Sequence, residues 1–289
     1  MRAFHSFWSA PSRARYGGAP RLRDYELLTM LLSALKWREK NGEITMVTDS
    51  AGAELFRRAG LERLWSAPID TRLDRVDPAI DPVRFWAAGK LWALREESAP
   101  CVMLDADMIV WEPLGERLGG AAVAAHREPL DPSVYPDPRE AFTLAAGYAF
   151  PPAWDFTLPA ANTAFLYLPD DGFRARYTDE ALSFMRALEN GPDDPAVSMC
   201  FAEQRILPMC AAAEGAALET LLPEDALDEQ SFVTHLWGHK RALDTDPMRR
   251  VEYCLHCTAR ILSDFPDWAD TLARNPETRP YWNELQQAT

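Results

Sequence analysis

Hydrophobic and polar positions follow two rhythms through the first hundred residues. Short apolar runs bounded by polar residues, "AFHSFW" (3–8), "EITMVTDS" (43–50) and "CVMLD" (101–105), predict strands. Between them, "DYELLTMLLSALKWREKNG" (24–42), "AGAELFRRAG" (51–60) and "RFWAAGKLWALREES" (84–98) carry apolar residues at helical spacing. Asp24 is placed to cap the first of these helices and Asn41-Gly42 to end it. The Gly/Pro/Arg segment 12–23 reads as a loop, and 66–84 as a loop around a weak strand. Residues 119–170 mix short apolar runs with Pro-rich loops, and "AANTAFLYL" (160–168) predicts a further strand. Helices are expected at 178–190, 195–213 and 246–266, the last with Asp246 as cap and Pro247 in its first turn.

Alternating strands and helices imply a mainly parallel sheet with helices on both faces, an α/β architecture. The strands are apolar throughout, as expected of strands buried on both sides. With 289 residues, 47% of them apolar, the chain can bury a large core. It has no repeats and no low-complexity linker, so one domain over 1–289 with a helical tail from 244 is expected.

Charge narrows the partners. The net charge of −14 argues against a nucleic-acid duplex and against general attraction to anionic membranes. It is unevenly spread: residues 1–40 hold eight Lys/Arg against three Asp/Glu, which makes 12–23 a local anion-binding candidate. No stretch of 18 apolar residues and no secretory leader are seen, and five cysteines fit reduced thiols. A cytoplasmic protein is expected, with 12–23 the candidate for peripheral membrane contact.

"PCVMLDADMIVWEPL" (100–114) sets two carboxylates between apolar runs. In an extended chain, residues i and i+2 face the same side, so Asp105 and Asp107 can approach one point. Two carboxylates held close repel unless a cation joins them, and a divalent ion such as Mg²⁺ or Mn²⁺ suits oxygen ligands. Ligands of open parallel sheets bind at the carboxyl ends of strands, where Asp49 also falls. The competing reading is a turn whose carboxylates cap backbone N–H groups.

The stretch "FWAAGKLWALREESAPCVMLDADMIVWEPL" resembles the corresponding segment of GT-A glycosyltransferases, in which a strand ends in D-x-D. "ITMVTDSAGAEL", "ANTAFLYL", "AEQRIL" (202–207) and "THLWGHKR" (234–241) are similar, in order, to further segments of that superfamily, the last to its family 8. The resemblance implies a GT-A-type, Rossmann-like mixed sheet. A nucleotide-binding half would span 1–118 and a sugar/acceptor half 119–243. It further implies Mn²⁺ or Mg²⁺ on Asp105, Asp107 and His235, with Asp107 and Glu203 in catalytic roles. A nucleotide-sugar donor, with UDP the expected nucleotide, would be held by Phe7, Trp8, Thr48, Asp49, Lys90, Asp105, Ala106, Asn162, Gln204, Gly238, His239 and Lys240. Retention is slightly favoured over inversion, for which Glu203 or Asp155 would be the base. The acceptor, a glycan, a lipid-linked sugar or a protein, is not specified, and loop 127–158 is expected to cover its side. The chain departs from the family 8 pattern after Gly238, where Lys240 comes one residue early and no Pro-Trp follows.

Several of these residues have plainer readings. Lys90 can lie along a helix with its head in water, Asn162 can simply start a strand, and Glu203 and Gln204 can form a solvated helix face. Cys254, His256 and Cys257 suggest packing rather than zinc, because no second C-x-x-C exists. Most of the ten tryptophans belong in the core, with one or two at a rim able to stack on a ring. Two other functions use similar signals: a haloacid-dehalogenase-type phosphatase with Asp105 as nucleophile, and a non-catalytic nucleotide or carbohydrate binder on a degenerate GT-A fold.

Overall fold

The computed structural model describes residues 1–223 and 232–287. Its strands are β1 (Ala3–Phe7), β2 (Ile44–Thr48), β3 (Cys101–Leu104), β4 (Met108–Val110), β5 (Ala122–Glu128), β6 (Thr143–Leu144), β7 (Ala160–Leu168), β8 (Leu188–Asn190), β9 (Leu218–Thr220) and β10 (Val233–His235). The helices of the first half are α1 (Ala10–Tyr16), α2 (Asp24–Lys40), α3 (Ser50–Arg58), α4 (Ala88–Glu96) and α5 (Pro138–Ala141). Those of the second half are α6 (Asp171–Ala187), α7 (Pro195–Cys200), α8 (Ile206–Glu214), α9 (Lys240–Thr245), α10 (Pro247–Asp264), α11 (Ala269–Arg274) and α12 (Arg279–Gln287).

The central sheet has the order β2-β1-β3-β7-β5-β9. β2, β1 and β3 pair in parallel, as do β5 and β9, while β7 runs antiparallel to both its neighbours. The sheet is therefore mixed and mainly parallel, as expected. Strand side chains alternate between two cores. Val102 and Leu104 pack with α2, α10 and α12, whereas Cys101 and Met103 pack with α4, α6 and α8. That double burial is why these strands read as unbroken apolar runs.

Local signals explain most boundaries. Asn41 follows α2, and Gly42 takes a positive φ of 117° beyond it. The α2 start differs from expectation. Arg23 is the cap residue and Glu26 accepts its N–H at 2.9 Å, while Asp24 joins Arg250 and the Tyr281 hydroxyl, tying α2 to α10 and α12. Asp246 caps α10 as read, accepting from Met248 and Arg249.

Four differences have physical causes. The loop expected at 12–23 opens within α1, which buries no residue and so leaves no hydrophobic period. The weak strand in 66–84 reduces to one bridge between Val47 and Asp70, beside a 3₁₀ turn at Arg72–Arg75. The helix expected at 178–190 begins at Asp171, because Asp170 caps it through Phe173 N at 2.8 Å. The single helix expected at 195–213 is α7 and α8 joined by a π turn at Phe201–Arg205, a distortion that tends to mark functional positions.

One glycine locks the joint between β1, β2 and α3. A Cβ on Gly52 would lie 2.0 Å from Thr48 Oγ1 and 2.9 Å from Phe7 Cδ1. Gly52→Ala is therefore expected to cost about 1–3 kcal/mol through overpacking, read as a lower urea midpoint at unchanged m-value.

Candidate functional site

The D-x-D pair occupies a tight turn between two buried strands. Asp105 N–H donates to Ala164 O of β7 at 2.7 Å, Met108 N–H closes the turn on Asp105 O at 3.0 Å, and the chain re-enters the core as β4. β4 pairs antiparallel with β10, setting His235 opposite Met108. Leu236 N–H donates to Asp107 O at 3.0 Å, and His235 Nε2 lies 3.8 Å from Asp107 Oδ1. One ligand atom from each of Asp105, Asp107 and His235 lies within 4.8 Å of the others.

A buried relay supports the turn from below. Trp65 Nε1 donates to His5 Nδ1 at 3.4 Å, His5 Nε2 lies 3.0 Å from Ser33 Oγ, and Ser33 donates to Met108 O at 2.5 Å. Because the Ser33 proton goes to the carbonyl, His5 must donate from Nε2. Burial lowers the His5 imidazole to about 3, against the pull of Asp107, so it stays neutral at pH 7.

Two ammonium groups flank the carboxylates. Lys90 Nζ bonds Asp105 Oδ1 at 2.6 Å and also bonds Glu203, while Lys240 Nζ bonds Asp107 Oδ2 at 2.6 Å. Burial alone would lower the Lys90 pKa, but Asp105 and Glu203 outweigh it and raise it. Burial raises the Asp105 carboxyl to about 6, with Lys90 opposing and Asp107 reinforcing. For Asp107, burial is overcome by Lys240 and its neighbours, and the pKa falls below the ordinary value. Burial lowers His235 to about 4, so its imidazole is neutral at pH 7 and able to serve as a ligand.

These groups open into a pocket of about 430 Å³, also lined by Phe7, Trp8, Asn162 and Gln204. Lys90 is thus directed into the site rather than along its helix. Glu203 is buried, held by Lys90 and by the Thr163 hydroxyl at 2.6 Å. Trp86 and Trp237 form exposed aromatic parts of the lining, 38% and 58% accessible. The Trp237 ring stacks on His235 at 6.4 Å and meets the edge of His126 at 6.2 Å.

The other expected donor residues lie apart from this pocket. Asp49 is used as the α3 cap: it accepts from Gly52 N at 2.8 Å and from Ser9 N and Oγ at 3.1 and 2.6 Å. Thr48 is buried and bonds Phe7 O, and Ala106 packs against the core beside the turn. Gly238 sits in the short turn Trp237–His239, and His239 lines a second pocket behind His235 with Tyr253 and His256. Of the two residues after Gly238, Lys240 and not His239 reaches the D-x-D side. Cys254 and Cys257 are buried, unbridged thiols on α10. Asp155, the other candidate base, is an exposed residue that accepts from Thr157 within its own turn. Sequence reading missed Thr163 and the group Glu128, Tyr135 and His126. Thr163 lines the pocket from within the segment 161–168 singled out in the sequence, whereas His126 and Glu128 in β5 and Tyr135 in the loop after it carry no motif and stand behind the lining residues Trp237, Asn162 and Gln204.

The sequence family described as "Family of unknown function (DUF6734)" matches residues 1–267. The chain belongs to DUF6734. No curated protein matches this DUF6734 chain. Among solved structures, mouse xyloside xylosyltransferase 1 in its apo form is similar at 15% identity and a TM-score of 0.40, covering 80% of this chain and 90% of that one. The PaToxG glycosyltransferase is similar at 11% identity and 0.42, covering 98% and 86%. The inositol-1-phosphate CTP transferase from T. maritima is similar at 10% identity and 0.36, covering 76% and 84%. No helix among the described residues of the DUF6734 chain is long and apolar enough to cross a membrane.

Proposed function

We propose that this protein is a metal-dependent glycosyltransferase that takes a nucleoside-diphosphate sugar, with UDP the expected nucleotide. The observation that carries the reading is the convergence of Asp105, Asp107 and His235 at the mouth of a pocket that also holds Lys90 and Lys240. Two carboxylates and a neutral imidazole fit Mn²⁺ or Mg²⁺, and three protein ligands leave coordination positions for diphosphate oxygens. Each lysine bonds one oxygen of its aspartate. When bound, the ion supplies Lewis-acid stabilisation of the departing diphosphate.

The protein's own groups do the rest. Lys240 offsets charge as it builds on the leaving group. Trp237 or Trp86 offers a face to a ring. Glu203 is held between Lys90 and Thr163, so it acts by positioning Lys90 and lining the sugar side. Neither Glu203 nor Asp155 is placed as a free general base, which favours retention over a base-assisted inversion.

The test is calorimetric titration with UDP and a panel of UDP-sugars, with Mn²⁺ and with EDTA. Binding that appears only with the metal is expected. No metal-dependent binding of any nucleotide sugar would falsify the reading. Phosphate release from a generic phosphate ester, lost in Asp105→Asn, would favour the phosphatase instead. Binding without slow donor hydrolysis would favour a binding protein.

A further inference from the structure

We infer that Glu128 is a positioning residue that sets the donor and acceptor polarity of the two pocket amides, Asn162 and Gln204, and so makes the pocket prefer a sugar-bearing nucleotide over the bare nucleotide. This rests on the donor reading above and assigns its sugar-recognising wall.

Glu128 ends β5 with its side chain 15% exposed. Its two oxygens serve different partners: Oε1 accepts from Asn162 Nδ2 at 2.7 Å, and Oε2 lies 2.8 Å from the Tyr135 hydroxyl. Asn162 is committed further, since its Oδ1 accepts from Ala164 N–H at 3.0 Å. With one amide hydrogen on Glu128 and its oxygen turned to Ala164, Asn162 has one N–H left to donate.

Tyr135 carries the constraint to Gln204. Its hydroxyl lies 2.8 Å from Glu128 Oε2 and 2.5 Å from Gln204 Oε1, two acceptors for one phenolic proton. A phenol has one proton, and the carboxylate, as an acceptor without a proton, claims it. The Tyr135 oxygen must then accept, so the network assigns the Gln204 amide with its NH₂, in place of Oε1, next to Tyr135 and its carbonyl turned away (amide orientation follows from such networks). Gln204 thus shows the pocket an acceptor while Asn162 shows a donor. A pair of opposite polarity on one wall suits hydroxyl groups, each of which both donates and accepts.

The π turn contributes to this arrangement. It sets Glu203 toward Lys90 and Thr163 and the next residue, Gln204, toward Tyr135. The metal-side groups and the amide wall therefore share one pocket but hang on separate hydrogen-bond networks, which makes them separable by mutation.

Glu128→Gln keeps size and removes charge. Its amide can still accept from Asn162, but its NH₂ now faces Tyr135, whose proton must turn to Gln204 and flip that amide. The experiment is titration of wild type, Glu128→Gln and Tyr135→Phe with UDP, UDP-glucose, UDP-galactose and UDP-N-acetylglucosamine in Mn²⁺, with unfolding midpoints measured alongside. Wild type is expected to bind one UDP-sugar more tightly than UDP. Both variants are expected to lose about tenfold or more of that preference, as when a site's polar groups lose their match, with UDP affinity unchanged. Unchanged preference in Glu128→Gln, or an equal fall for UDP and UDP-sugar, overturns the assignment to Glu128 and leaves the donor reading standing. A wild type that binds neither UDP nor any UDP-sugar overturns the donor reading and this inference with it.

Discussion

Replacing Asp107 by alanine is expected to lower Mn²⁺-dependent nucleotide-sugar affinity by more than about 100-fold, beyond the 10–100-fold typical of losing a residue that merely supports a ligand. Asp107 faces His235 and bonds Lys240, so its loss removes a ligand and releases a cation together. The released Lys240 is 43% exposed and can hydrate, so the fold should survive. Asp49→Ala is the matched control. It deletes an α3 cap, costing about 1 kcal/mol of stability, and should leave metal binding intact. Wild-type affinity in Asp107→Ala would end the metal proposal. The pH profile has a definite sign. Asp105, raised to about 6, and His235, lowered to about 4, must both be unprotonated to ligate. Mn²⁺ affinity should therefore be flat above pH 7, fall as pH drops through 6, and fall more steeply near 4.

The second large effect concerns stability. The folded chain keeps His5 neutral down to about pH 3, whereas an unfolded histidine takes a proton below its ordinary 6.5. The stability tied to His5 is thus fully present above pH 6.5 and lost as pH falls toward 3, at about 1.4 kcal/mol per unit. His5→Gln should be less stable than wild type at pH 7, by about 1–3 kcal/mol for the broken relay. By pH 4 the difference should narrow by on the order of 3 kcal/mol, because the variant no longer has this proton to take up. Asp105 pulls the opposite way, since a raised carboxyl favours the folded state on acidification, but it is common to both proteins and cancels. Urea curves at pH 7, 5.5 and 4 decide it, and parallel pH dependences would exclude the relay.

How much of this was readable from sequence depended on burial. β7 was legible at residues 160–168 because nearly all its side chains are buried, yet nothing in an apolar run buried on both faces tells its direction, and β7 alone in the central sheet runs backwards. α1 was illegible because it buries nothing, and the π turn because one extra residue barely disturbs helical spacing. At the site, His235 was legible only through the resemblance of residues 234–241, while Asp105 and Asp107 stood out because charge interrupts apolar sequence there. Asp49 stood out for the same reason and proved to be a cap. Glu128 and Tyr135 gave no signal, since a carboxylate beside a Pro-rich loop looks like any solvated residue until β5 and β7 are paired.

The pairing of β4 with β10 also has a consequence in time. Asp107 and His235 lie 128 positions apart in the chain. At synthesis rates of about 5–20 residues per second, the D-x-D turn leaves the ribosome roughly 6–25 s before the histidine that faces it. During that interval β4 has no β10 to pair with, and the nascent chain carries two adjacent carboxylates without their imidazole. The centre is thus built from an early half and a late one, and a truncated chain would lack it.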